Sequence, residues 1–156
     1  MQKSFIATFT AAVILTCGYT ATAARAEVLI TPDEAKLPSA SGATPSGAIA
    51  LRGLTRGPAI EQVSPDPRSN GIKSPLPLSI RFIAHNNTTV VLDSVKVTYL
   101  KSQTVDLTSR IKPHLTGTGI EISDAEVPPG RHILRIELQD SQGRAGTGII
   151  KLSVAP

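Results

Sequence analysis

The chain has 156 residues, enough for one domain once leader and linker segments are set aside. It holds one Cys and no Trp, aromatic residues make up 3% of it, and 16 Lys+Arg stand against 12 Asp+Glu. A lone cysteine excludes an internal disulfide framework and a thiolate metal cluster. So small a basic excess, spread along the chain, lacks the electrostatic footprint of a nucleic-acid binder.

Residues 1–26 read as an export signal peptide. Lys3 supplies a short positive start, Phe5 to Thr16 is apolar or small, and Ala24-Arg25-Ala26 fits the small-x-small rule for a cut before Glu27. The apolar stretch is well short of the ~20 residues that span a bilayer. Cys17, in Ile14-Leu15-Thr16-Cys17-Gly18, offers a second processing route as a lipidated cysteine, and only that route would hold the protein at a membrane; Thr16 is a poor residue for the position before it. A cut before Glu27 removes Lys3, Arg25 and Cys17 and leaves a cysteine-free chain of net charge +2. The predicted localisation is periplasmic or secreted.

Residues 27–57 read as a linker. Leu37-Pro38-Ser39-Ala40-Ser41-Gly42-Ala43-Thr44-Pro45-Ser46-Gly47 is too poor in large apolar side chains to offset its ordering entropy, which predicts a disordered tether. Within it, Thr31 and Pro32 are placed to open a single helical turn as N-cap and first helical residue. Ala48-Ile49-Ala50-Leu51 is a short apolar patch.

Residues 58–156 are expected to form the domain. Ala59–Val63 is a first short strand, followed by loop signals at Ser64-Pro65-Asp66-Pro67 and Ser69-Asn70-Gly71. Leu76, Leu78, Ile80, Phe82 and Ala84 share one face of the next strand, and His85-Asn86-Asn87-Thr88-Thr89 is a polar turn. Val90-Val91-Leu92 reads as an apolar plug before a turn at Asp93-Ser94, and Val95, Val97 and Tyr99 then alternate with polar residues. Val105-Asp106-Leu107 is a short strand, Thr108–His114 one helical turn that Pro113 cuts short, and Ile120 and Ile122 mark another strand. The last segment is a hairpin. His132, Leu134, Ile136 and Leu138 face inward on its first arm and Gly148, Ile150, Leu152 and Val154 on its second, joined by a turn over Asp140 and Gly143. About seven short strands with turns every 8–12 residues predict an all-β, two-sheet antiparallel sandwich.

Pro128-Pro129-Gly130-Arg131-His132, the run Ile136-x-Leu138-x-Asp140-x-x-Gly143, and the alternating last strand from Gly146 resemble the closing hairpin of bacterial immunoglobulin-like and fibronectin type III-like exported domains. Leu92–Val97 and Val105–Thr108 add to the likeness, which covers residues 58–156. The resemblance implies an immunoglobulin-like β-sandwich without the inter-sheet cysteine pair and core Trp of antibody domains, leaving Phe82 and Tyr99 as the large core residues. It implies spacer, adhesion or binding roles, and fold alone does not choose among them.

The residues point away from catalysis. No Gly-x-Ser-x-Gly elbow, Gly-rich phosphate loop or cysteine nucleophile survives export. His85, His114 and His132 lie in three segments without metal-ligand spacing, and His132 fits the end of a core face. Asp66, Asp93, Asp124 and Asp140 read as turn caps; calcium would need Asp66, Asp124 and Asp140 gathered at one pole. With Phe82 and Tyr99 in the core, no aromatic is left to stack on sugars or bases. Asn86-Asn87-Thr88-Thr89 holds two overlapping Asn-x-Thr sequons, read here as a polar turn. Arg131, Arg135 and Lys151 form a solvated face partly balanced by Glu137. The expected role is a non-catalytic exported module for interaction with an envelope or extracellular protein, or for structure, with no catalytic, cofactor or metal residues. The alternative is a module binding carbohydrate or calcium.

Overall fold

Period-two alternation dictates most of the strands. The computed structural model describes residues 26–40 and 57–156. In chain order the elements are β1 (Glu27–Val28), α1 (Pro32–Lys36), β2 (Ala59–Ser64), β3 (Leu76–Ile83), β4 (Val90–Tyr99), β5 (Val105–Asp106), α2 (Thr108–Ile111) running into a 3-10 turn (Lys112–His114), β6 (Leu115–Thr116), β7 (Gly119–Glu126), β8 (Gly130–Asp140) and β9 (Ala145–Val154). The chain is all-β. One sheet has the order β1-β7-β3-β2, with β6 also on β7, and the other the order β5-β4-β8-β9.

The two sheets share one core. Leu76, Leu78, Ile80 and Phe82 of β3 and Ile120 and Ile122 of β7 pack in one buried cluster with Val95, Val97 and Tyr99 of β4, Leu134, Ile136 and Leu138 of β8, and Ile150, Leu152 and Val154 of β9. These are the inward positions that alternation assigns. The β8–β9 hairpin pairs without a break from Gly130↔Val154 to Gln139↔Ala145, and Gly143, at φ 74°, takes the left-handed position of its turn. Two other glycines let the layers close. A Cβ on Gly146 would collide with the carbonyl oxygen of Pro58, and one on Gly148 would lie 2.7 Å from Ile60 Cβ, so β2 crosses β9 only because both lack side chains.

Two expectations change. Val90–Leu92 and Val95–Tyr99 are one strand, because the Ser94 hydroxyl donates to Val91 O at 2.6 Å and accepts from Gln139 N at 2.8 Å, bridging the register shift where a turn was expected. The two-residue strands β1 and β6 raise the strand number above seven, each adding to one end of the outer edge of β7.

The larger correction concerns the linker. Residues 27–40 are not a tether. β1 pairs in parallel with β7, Glu27↔Ala125 and Val28↔Glu126, and Leu29 and Ile30 are fully buried in the common core. The helical turn forms at Thr31-Pro32 as a full capping box: the Thr31 hydroxyl accepts from Glu34 N while the Glu34 carboxylate accepts from Thr31 N. Two buried aliphatic side chains stabilise this docking by about 1.5–3 kcal/mol each before entropy is subtracted, more than the polar composition of the segment suggests. Gly57 and Pro58 are also buried, against the start of β9. Of the expected signal peptide 1–26 only Ala26 is described, and Cys17 and the apolar patch Ala48–Leu51 lie outside the described residues.

Candidate functional site

The densest polar chemistry lies where the N-terminal segment covers one end of the sandwich. Tyr99, last in β4, faces inward and is fully buried; His132, near the start of β8, is buried beside it. The Tyr99 hydroxyl is 2.7 Å from His132 Nδ1, and His132 Nε2 is 2.8 Å from Pro128 O. A carbonyl can only accept, so Nε2 carries the proton, Nδ1 is the acceptor, and the Tyr99 hydroxyl donates to it. Burial lowers the pKa of His132 below the ordinary imidazole value and the nearby Lys101 ammonium lowers it further, against the opposing pull of Pro128 O. The ring is held neutral. Burial, with Glu34 nearby, pushes the Tyr99 phenol up to about 12.

Two cations tie the covering segment to this cluster. Lys101 is only 7% exposed; its Nζ donates to Ala35 O at 2.9 Å and stands 5.3 Å from the Tyr99 ring centroid, within cation–π range. Arg110 of α2 forks onto Glu34 with two bonds of 2.8 Å and donates to Leu29 O at 3.0 Å. That bidentate pairing, with the cap bonds from Thr31, holds the Glu34 carboxyl down at about 2 despite its burial. Sequence reasoning missed Lys101, Arg110 and Glu34 as a group. The one local signal was the Thr31-x-x-Glu34 spacing of a capping box.

The opposite end carries a second clamp. Asp140 is 2% exposed; its carboxylate accepts from Gln142 N and Arg144 N at 2.9 Å and from Arg144 Nε at 2.7 Å. Thr88 Oγ1 reaches the same carboxylate at 3.3 Å, joining the His85–Thr88 turn to the hairpin tip. Burial opposes ionisation of Asp140, but the N–H and guanidinium of Arg144 and the N–H of Gln142 outweigh it and lower its pKa. In the facing turn Asn86 and Asn87, both at φ 56° and exposed, take the two left-handed central positions of the tight turn that carries the chain from β3 in one sheet to β4 in the other.

The other singled-out residues are dispersed. His85 is exposed in that turn, and His114 stands 3.9 Å from Glu27. The Asp66 carboxylate caps its own turn through Arg68 N at 2.8 Å, Asp93 is exposed in β4, and Asp124 is exposed on β7 where it meets the start of β3. Asp66 and Asp124 therefore lie at the end away from Asp140, so the three aspartates do not share a pole. Among the described residues no three His, Cys, Asp or Glu side chains gather as a metal site. Arg131, Arg135 and Lys151 lie exposed on the outer face of the β8–β9 hairpin, as alternation predicts, and Glu137 faces Lys96 across β4 and β8. The outer faces offer two shallow depressions, about 250 Å³ beside Ser79, Arg81, Phe82 and Glu121 and about 300 Å³ beside Ser94, Lys96, Glu137 and Thr147. Neither gathers a nucleophile, a base and an oxyanion donor set. Among the described residues no helix is long and apolar enough to cross a membrane.

No known protein family, curated protein or solved structure matches the chain.

Proposed function

We propose that this protein is an exported, non-catalytic immunoglobulin-like module that serves protein interaction or structure in the bacterial periplasm or cell envelope. The observation that carries the reading is the strand distribution. Counting from β2 and setting aside β1 and β6, which only extend the outer edge of β7, the first, second and fifth strands (β2, β3, β7) share one sheet, and the third, fourth, sixth and seventh (β4, β5, β8, β9) share the other. Immunoglobulin-type sandwiches divide their strands this way, apart from the fourth strand, which the constant-type arrangement places with the first sheet. His132 adds to it. Immunoglobulin folds place a tyrosine near the start of the sixth strand that bonds back to the backbone a few residues upstream; here His132 in β8 bonds back to Pro128 O.

A buried polar cluster satisfied by internal hydrogen bonds suits a scaffold, since among the described residues every buried side-chain polar atom already has a partner. Affinity capture from envelope extracts with the tagged full chain tests the reading: a stoichiometric partner that survives purification is the expected result. Calorimetric titration with calcium or with glycans showing saturable heat would instead favour a ligand-binding module. The mass of the exported chain tests the address: an N-terminus at Glu27 is expected, whereas a lipidated Cys17, with processing blocked by globomycin, would place the module on a membrane.

A further inference from the structure

Among the described residues, every polar contact of residues 27–40 outside the segment itself falls on residues 101–126. β1 lies on β7, Arg110 holds Glu34 and Leu29 O, Lys101 holds Ala35 O and bridges to Ser39, and Ser102 N donates to Pro38 O at 2.8 Å. In its sheet β1 and β2 stand at opposite edges with β7 and β3 between them. Lengthwise, Ser39 sits at Lys101, at the Tyr99 end, whereas Gly57 sits against Ala145 at the hairpin-tip end. Ser39 and Gly57 therefore stand at opposite ends of the long axis, about 33 Å apart for a strand as long as β9. Residues 41–56 reach at most about 55 Å when extended.

We propose that residues 27–40 are an exchangeable strand, docking on β7 of their own chain or, reciprocally, on β7 of a second copy to form a two-fold dimer. Three features favour it. The segment is a self-contained docking unit, with its own capped turn, two core side chains and one carboxylate matched to Arg110. The slot it fills is built wholly from residues 101–127 and the shared core, so either copy's segment finds identical partners. The separation of Ser39 and Gly57 also exceeds the r.m.s. length of about 22 Å expected for a flexible coil as long as residues 41–56, which lowers the effective concentration for docking in cis, and exchange of identical elements needs no new interface.

Cysteine pairing tests this. In full chains carrying Cys17→Ser, Val28→Cys is placed in one copy and Glu126→Cys in another; the two positions are register partners, and both are exposed. The copies are mixed near millimolar concentration, incubated and oxidised, with Ser69→Cys, exposed at a distant turn, replacing Glu126→Cys as collision control. The proposal expects an inter-chain 28–126 disulfide about tenfold above the control, as the second docking within an exchanged dimer is intramolecular. It also expects a concentration-dependent dimer in sedimentation that disappears when both cysteines are placed in one chain and oxidised within it. Cross-linking no greater than the control would overturn it, and so would a dimer that persists in the internally locked chain, since that dimer would use another surface.

Discussion

At the scale of single residues, the Tyr99–His132 pair decides how the sandwich tolerates polarity in its core. Each group satisfies the other and neither has water to fall back on. Tyr99→Phe strips the donor from His132 Nδ1, and His132→Leu strands the Tyr99 hydroxyl; each should cost about 1–3 kcal/mol, while the double substitution should cost clearly less than the sum, because it removes both polar groups together. Urea titrations of the four proteins in a double-mutant cycle measure this. The same pair sets a pH dependence. The folded pKa of His132 lies below its unfolded value, ~6.5, so the unfolded chain binds more protons in the window beneath that value. Stability is full above ~6.5 and declines as pH falls toward the folded pKa. Glu34 acts in a lower window: its folded pKa of about 2 lies under the ordinary 4.5, so its contribution is present above 4.5 and is lost as pH falls from 4.5 to about 2. Denaturation midpoints at pH 7.5, 5.5 and 3 should fall in two steps, with His132→Leu removing the upper one and Glu34→Gln reducing the lower, to which Asp140 also contributes.

At the scale of elements, two features that look weak in sequence hold strong positions. The N-terminal segment contributes Leu29 and Ile30 to the core, so Leu29→Ala should destabilise the whole protein by about 2–5 kcal/mol, as for other fully buried leucines. Thermal unfolding measures that loss, and hydrogen exchange at Leu29 N and Ile30 N, both bonded to Glu126 O, shows whether the segment opens first. A disordered tether would leave both readouts unchanged. The second feature is the close approach of β2 to β9. Gly148→Ala places a methyl against Ile60 and should cost about 1–3 kcal/mol through overpacking, whereas Gly117→Ala, with open space around it, serves as the neutral comparison in the same melt.

At the scale of the whole molecule, the hairpin β8–β9 binds the layers into one unit, because β8 also pairs with β4 and β9 is crossed by β2. Its exposed edge is protected in turn. Gln62 donates to Lys151 O and accepts from Lys151 N, and Ile72 N donates to Ser153 O while its own O accepts from Ala155 N. These contacts blunt an edge that would otherwise pair with other chains. An aspartate at Leu134 or Ile136, both fully buried at the centre of this arrangement, places an unpaired charge in the core and should prevent folding. Loss of the strand signal in circular dichroism together with rapid proteolysis is the expected outcome.

Most of the longer strands, their inward faces and the turn at Gly143 are legible along the chain, because each depends on contacts between residues a few positions apart: Leu76–Phe82 and His132–Leu138 alternate, and Gly143 must adopt a left-handed φ. It also placed Asp66 and Asp140 as turn caps, which need only the N–H groups two to four residues on. The rest depends on partners that meet only in the folded chain. Leu29 and Ile30 sit in a stretch whose average composition predicts disorder, and they are core because Arg110 and Lys101, distant in the chain, build the slot that receives them. The tautomer of His132 follows from Tyr99 on another strand. Whether β4 turns or continues at Ser94 is settled by the backbone of β8. In each case the deciding partner is brought close by the fold, so no window along the chain contains the information.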